Sequence, residues 1–306
     1  MKKLIFLLCV SLMLFLVCAK AKSQKKYLAL GDSITEGYTI EDKSKIYASL
    51  FAKKHNFELT NEAVSGDKSG VLLEKLANYN VDDYDVITLC IGANNVLRPF
   101  LDKVFETSAD KQLEMILSLK EDEEFNKEMD KGIEELDKDL TKIMKIVKSG
   151  HAQIYYMNVY NPYQNNVIQP LGEIADYYVG KINDVIEKHK DGVHFINLHR
   201  YFASSKAKLI NSQVITGSHF MDPHPTGEGQ KYIAQLLNDE YDRNNITLAS
   251  IILIIVLSIF VLIVEVIDVI YTFKSFAVKK AENIDIEPKL EKEEEKKNDS
   301  SRFIRS

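Results

Sequence analysis

The 306-residue chain holds three cysteines, and two of them, Cys9 and Cys18, fall in the apolar stretch at its start. Only Cys90 remains, inside the strand-like run "YDVITLCIGANN", so no disulfide framework can form within one mature chain. Basic charge is in the minority. Lys and Arg number 39 against 45 Asp and Glu, a net charge of -6 with no basic stripe, which argues against nucleic acid as a partner. No internal repeat and no Gly/Ser linker interrupts residues 22–245, which therefore read as one domain. A phosphate-cradling GxxxxGK loop is missing, and so is the GxSxG elbow of α/β-hydrolases, because its last position after Ser33 holds Thr35.

What is there is apolar at both ends. "MKKLIFLLCVSLMLFLVCAKA" joins two lysines to an apolar run of signal length and the small-residue site Ala19-Lys20-Ala21. It predicts a secretory signal over residues 1–21, cleaved after Ala21, with an uncleaved anchor as the alternative. Lipid attachment at Cys18 is disfavoured by Val17, where a small residue is usual. "ITLASIILIIVLSIFVLIV", Ile246 to Val264, carries no charge and approaches the ~20 residues that cross a hydrocarbon core as a helix. It also lacks the polar face of a core helix on a protein surface. A transmembrane helix is expected over residues 246–273. Lys274, Lys279 and Lys280 beyond it favour the cytoplasmic side, which puts the domain outside the cytoplasm, at a cell surface or in a lumen. Residues 274–306 mix both charge signs with few aromatics and predict a disordered cytoplasmic tail.

Between the ends, short apolar runs alternate with helical patterns. "KYLALGD", "FELTNEAVSG", "YDVITLCIGANN", "AQIYYMNVYNP" and "VHFINLHR" read as strands, and "IYASLFAKKH", "GVLLEKLANY" and "IADYYVGKINDVIEKHK" as helices. This alternation predicts an α/β domain with a mostly parallel sheet covered on both faces. The rhythm breaks from Phe100 to Gly150, where Ile133, Leu136, Leu140, Ile143 and Val147 recur at helical spacing and predict an amphipathic helix against the sheet. The charged "KEDEEFNKEMDK" predicts a solvated helical insertion over residues 100–130, with a substrate lid over Phe100 to Met129 as the alternative.

Ligands of open α/β sheets bind beyond the carboxyl ends of the strands. Three strands here end in "GDSI", "VSGDKSG" and "GANN", each an ordinary turn when taken singly. A fourth element changes their weight. "FMDPHPTGEGQKYIAQLL" puts Asp222 and His224 in a proline-bounded loop before a helix. A serine hydroxyl needs a base to take its proton, and an imidazole needs a partner on its other nitrogen to fix its tautomer. Ser33, His224 and Asp222 supply those residue types. His219 with Asp222 and His224 would also suit a divalent ion, a weaker reading of the same side chains. His55, His151, His189, His194 and His199 have no motif around them and read as structural. In "YYMNVYNPYQNN", Tyr155, Met157 and Val159 suit sheet packing, while Asn161, Pro162 and Tyr163 follow on the ligand side.

These residues resemble the SGNH hydrolases, also called GDSL esterases and lipases. The match is Ser33 in "GDSI", Gly66 in "VSGD", Asn94 in "GANN" and His224 in "DPHPT", in family order across Lys26 to Tyr241. The resemblance implies a three-layer α/β/α domain of flavodoxin-like type and a serine ester hydrolase without metal or organic cofactor. It implies Ser33 as nucleophile, His224 as general base and acid, Asp222 as the acid behind it, and an oxyanion hole from the Ser33 and Gly66 N–H groups and the Asn94 amide. Asp32, Asn95 and Tyr163 are the candidate substrate contacts. Two positions depart from the family: Asn95 stands where aspartate is usual, and Met221 stands three residues before the histidine, where the family's acid is commonest. The family's substrates span lysophospholipids, short esters, thioesters and acetylated sugars. An O-acyltransferase using the same triad, or an inactive ectodomain serving as a binding module, are the alternatives.

Overall fold

The computed structural model describes residues 24–108, 110–165, 169–214 and 221–302. The expected signal at 1–21, together with His219 and Asn166, lies outside them. The chain divides into two compact units, Met1–Tyr241 and Asp242–Ser306.

Five parallel strands build the sheet of the first unit: β1 Lys26–Gly31, β2 Glu58–Asn61, β3 Val86–Cys90, β4 Gln153–Met157 and β5 His194–Ile196, in the order β2-β1-β3-β4-β5. This is the flavodoxin-like doubly wound order, whose switch point lies between β1 and β3. Side chains of a strand point alternately to its two faces, and the central strands are apolar on both. Leu28, Leu30, Ile87, Leu89, Ile154 and Tyr156 enter one core, while Tyr27, Ala29, Val86, Cys90, Tyr155 and Met157 enter the other.

Helices cover each face. The short α1, Ser33–Glu36, follows β1 directly, and α2, Tyr47–His55, packs Tyr47, Ala48 and Phe51 against the second core. The first core is closed by α3 Ser69–Leu76, α4 Ala93–Glu106, α5 Gln112–Ser118, α6 Glu123–Val147 and α7 Gln169–Lys188. The helix α8, Leu198–Ser204, adds Leu198 and Phe202 to the second core. There it meets the start of α9, Gly227–Arg302, through Ile233, Ala234 and Leu237.

Several boundaries differ from the expectation. "GANN" opens α4, with Gly92 as its cap, so Asn94 and Asn95 sit in the first helical turn. The run "VHFINLHR" is strand only to Ile196, because the Asn197 side chain accepts the Arg200 N–H at 2.8 Å and starts α8. The insertion expected over 100–130 has no boundary at its end: α6 runs through the charged half, and Phe125 and Met129 there are as buried as Leu136 and Leu140. A stripe of apolar residues at helical spacing is enough to seat a helix whose other faces are charged.

In the second unit, α9 contains Ile251–Val278, long and apolar enough to cross a membrane, with mean hydropathy 3.0 and none of its most apolar window buried. A helix in a protein core would be mostly covered. The helix continues to Arg302, where disorder was expected. Lys and Glu are good helix formers, and extending an existing helix needs no new nucleus.

Candidate active site

The site forms at the carboxyl end of the sheet, at the switch point. Strand β1 ends at Gly31, where a Cβ would come within 2.1 Å of Thr35 Oγ1 and 2.6 Å of the Cys90 carbonyl. Only glycine allows the chain to turn so close to β3. Asp32 then caps α1, its Oδ1 accepting the Ile34 N–H at 3.1 Å, which leaves Ser33 as the first helical residue. Among the described residues Ser33 Oγ has no hydrogen-bond partner, and Ser33 lines a cavity of about 390 Å³.

His224 lines the same cavity. Its Nδ1 lies 2.6 Å from Asp222 Oδ1, and its backbone N–H donates to that oxygen at 3.0 Å. Asn211 completes the carboxylate, donating from Nδ2 to Asp222 Oδ2 at 2.9 Å. The loop itself is strapped by the Asn211 N–H to the His224 carbonyl, 2.9 Å, and the Ser212 N–H to the Asp222 carbonyl, 2.9 Å. Burial by itself raises the Asp222 carboxyl, but the bonds from His224 and Asn211 and the nearby imidazole outweigh it and hold the group below the ordinary aspartate value. Met221, at the family's usual acid position, packs against the first core, and its carbonyl accepts from Tyr163 Oη at 3.2 Å. On the far side of the imidazole, the exposed Tyr38 ring lies 5.1 Å from it.

Gly66 and Asn94 line the cavity as well. Gly66 has φ +83°, a conformation that favours glycine, and nothing lies within 4 Å of where a Cβ would be. The peptide before it is held instead by Glu36, whose carboxylate accepts both the N–H and the hydroxyl of Ser65. The helix α1 thereby fixes the second loop. Among the described residues the N–H groups of Ser33 and Gly66 have no acceptor. Asn94 Nδ2 donates to the Asp67 carbonyl at 3.0 Å and, at a longer 3.4 Å, to Asp32 Oδ2.

Asp32 is fully enclosed, and burial pushes its carboxyl up to about 6, against the opposing pull of the Ile34 N–H and of His224. A buried acid with a raised value beside an imidazole and an amide donor marks this cleft as a candidate functional site.

The expected substrate contacts separate. Asp32 and Tyr163 line the cavity, but Asn95 does not. Its Oδ1 accepts the Ser69 N–H at 3.0 Å and its Nδ2 donates to Ser69 Oγ at 2.9 Å, while Ser69 Oγ donates to Asp139 Oδ2 at 2.7 Å. With 3% of its surface exposed, Asn95 joins α4, α3 and α6 and supports the loop from behind. Asn161 likewise turns inward, to the Gly172 carbonyl at 2.8 Å. Glu36, Asn211 and Tyr38 carried no signal of their own in the sequence, although Glu36 sits within the "GDSITEG" run that contains Ser33.

An arylesterase of Vibrio mimicus is 35% identical over 115 residues, a match covering 35% of this chain and 56% of the relative. The chain thus spans about half the length of that relative. An extracellular lipase from Streptomyces rimosus superposes with a TM-score of 0.55 at 21% identity, covering 71% of this chain and 99% of that one. A phospholipase A1 from Streptomyces albidoflavus gives 0.54 at 18%, covering 71% and 100%. Both likenesses are of fold. The sequence profile of the GDSL-like Lipase/Acylhydrolase family matches residues 29–232, and the chain belongs to that family.

Proposed function

We propose that the protein hydrolyses carboxylic esters with Ser33 as nucleophile, His224 as proton carrier and Asp222 as the group that orients and charges-balances the imidazole. Ser33 Oγ attacks the acyl carbonyl while His224 Nε2 takes its proton, and the tetrahedral oxyanion collapses as His224 returns the proton to the departing alcohol. Water then attacks the Ser33 ester as His224 takes its proton, and the second tetrahedral intermediate collapses as His224 returns that proton to Ser33 Oγ, releasing the carboxylic acid and restoring the serine hydroxyl. Carrying this reading is one observation: Ser33 and His224, from opposite ends of the domain, line a single cavity, with Asp222 Oδ1 2.6 Å behind the imidazole.

The oxyanion would receive the N–H groups of Ser33 and Gly66 and the Asn94 amide. The 3.4 Å bond from Asn94 to Asp32 is the weaker of its two and the one an oxyanion replaces at least cost. We also assign the apolar part of α9 that precedes Lys274 to a membrane span, with Lys274, Lys279 and Lys280 on the cytoplasmic side and the hydrolase unit on the other.

The test is hydrolysis of p-nitrophenyl acyl esters by the full chain in detergent, wild type beside Ser33→Ala, with fluorophosphonate labelling in parallel. Loss of turnover by about 10⁴-fold or more, with labelling lost in the variant, is expected. Unchanged turnover, or a label on another serine, rejects the assignment.

A further inference from the structure

The cavity at Ser33, about 390 Å³, is much larger than an acetyl group requires, and its helical wall is apolar. Leu97, Phe100 and Leu101 of α4, Met129 of α6, and Ile174 and Val179 of α7 line it. These positions recur at helical spacing on faces that the sheet does not use up, and Leu97 and Leu101 are only partly buried. Phe100, Leu101 and Met129 come from the segment that reads in the sequence as a charged insertion.

The tyrosine hydroxyls of the inner wall are already bonded. Tyr160 Oη donates to the Pro223 carbonyl at 2.8 Å, Tyr163 Oη to the Met221 carbonyl at 3.2 Å, and Tyr178 Oη to Asn126 Oδ1 at 2.8 Å. Beyond Asp32 and His224, the charged side chain on the lining is Arg98, 68% exposed and bonded to Asp102. A sugar inserted here would leave its hydroxyls without partners, whereas an alkyl chain would meet carbon on every side.

We propose that this cavity is an acyl-chain site, which holds the tail of an unbranched acyl group of medium length or longer between α4, α6 and α7 while its carbonyl lies at Ser33. This rests on the hydrolase reading above and names the acyl half of its substrate; the alcohol half stays outside, toward Tyr38 and Arg98. Each methylene moved from water into the wall strengthens transition-state binding by about fourfold until the cavity is filled.

The experiment uses the full chain in digitonin, a detergent without an acyl chain, and p-nitrophenyl esters from acetyl to dodecanoyl kept below aggregation. Wild-type kcat/KM is expected to rise about fourfold per methylene at least as far as octanoyl. Val179→Trp and Leu97→Trp should each lower the octanoyl-to-acetyl ratio roughly tenfold. A second measurement needs neither turnover nor those variants to fold: in Ser33→Ala protein, decanoate should raise the melting temperature and acetate should not. A wild-type preference for acetyl, or a flat series, with turnover still lost in Ser33→Ala, overturns the acyl site and leaves the hydrolase reading standing. Should Ser33→Ala turn over normally, the nucleophile assignment falls, and the decanoate shift still decides the cavity: no shift sinks it.

Discussion

Gln230 Nε2 donates a 2.9 Å hydrogen bond to the Ile34 carbonyl, and its Oε1 accepts the Tyr47 N–H at 2.8 Å. One buried amide near the start of α9 thus holds the residue next to Ser33, close after the loop that carries His224. The two ends of the domain are joined at the site by a side chain that touches no reacting atom.

Gln230→Leu keeps the volume but strands a buried carbonyl and a buried N–H. A loss of about 3 kcal/mol in unfolding free energy is expected, each stranded group costing ~1–3 kcal/mol. Urea titration of both proteins measures it, and a change within error would show that water replaces the amide.

Asn94→Ala removes one of the three assigned oxyanion donors. Such a loss typically costs ~3 kcal/mol of transition-state stabilisation, so kcat should fall a few hundredfold with KM little changed. A KM effect with kcat intact would assign Asn94 to ground-state binding.

Asp222→Asn keeps the shape while removing the charge behind the imidazole, and should lower kcat by about 10⁴-fold. The same carboxylate supports the fold. Because its folded value is depressed, its contribution is present above the ordinary aspartate value and is lost as pH falls through the folded one. Acid titration of stability should therefore be shallower in the Asn variant at the acidic end.

Asp32 behaves in the opposite sense. With its carboxyl raised from 3.8 to about 6, the unfolded chain releases this proton first, so stability falls as pH climbs from about 4 to about 6 and the whole cost is present above that window. Asp32→Asn should remove this slope and stabilise the protein at neutral pH by up to about 3 kcal/mol. That figure is an upper one, because the new amide meets Asn94 Nδ2 where the carboxylate accepted its hydrogen. Unfolding midpoints followed against pH test it, and a slope unchanged in the variant would refute it.

Local information was enough for the strands and for the turns that end them. The alternation in "KYLALG" and "DVITLC" follows from side-chain geometry along any strand, and the glycines and polar residues that follow are the ones such turns need. The apolar stretch in α9 was equally legible, since length and composition alone make a candidate span. The depth of the cavity was not legible. Leu97, Met129 and Val179 lie on three helices with ordinary amphipathic stripes, and no pattern along a chain says which apolar positions will line a cavity.

Asn94 and Asn95 divide the matter most sharply. Adjacent in sequence and alike in chemistry, they point about 100° apart around the first turn of α4, so one lines the cavity and the other is bonded to Ser69 behind it. Sequence by itself determined the elements, the order of the motifs and the chemical types at Ser33, Gly66, Asn94 and His224. Tertiary structure decided which side chains share the cavity, how Glu36, Asn211 and Gln230 hold them there, and how much apolar wall stands behind them. The physical reason is that strand and turn preferences act between neighbours in the chain, whereas cavities and hydrogen-bonded supports depend on distances that exist only once the layers have packed.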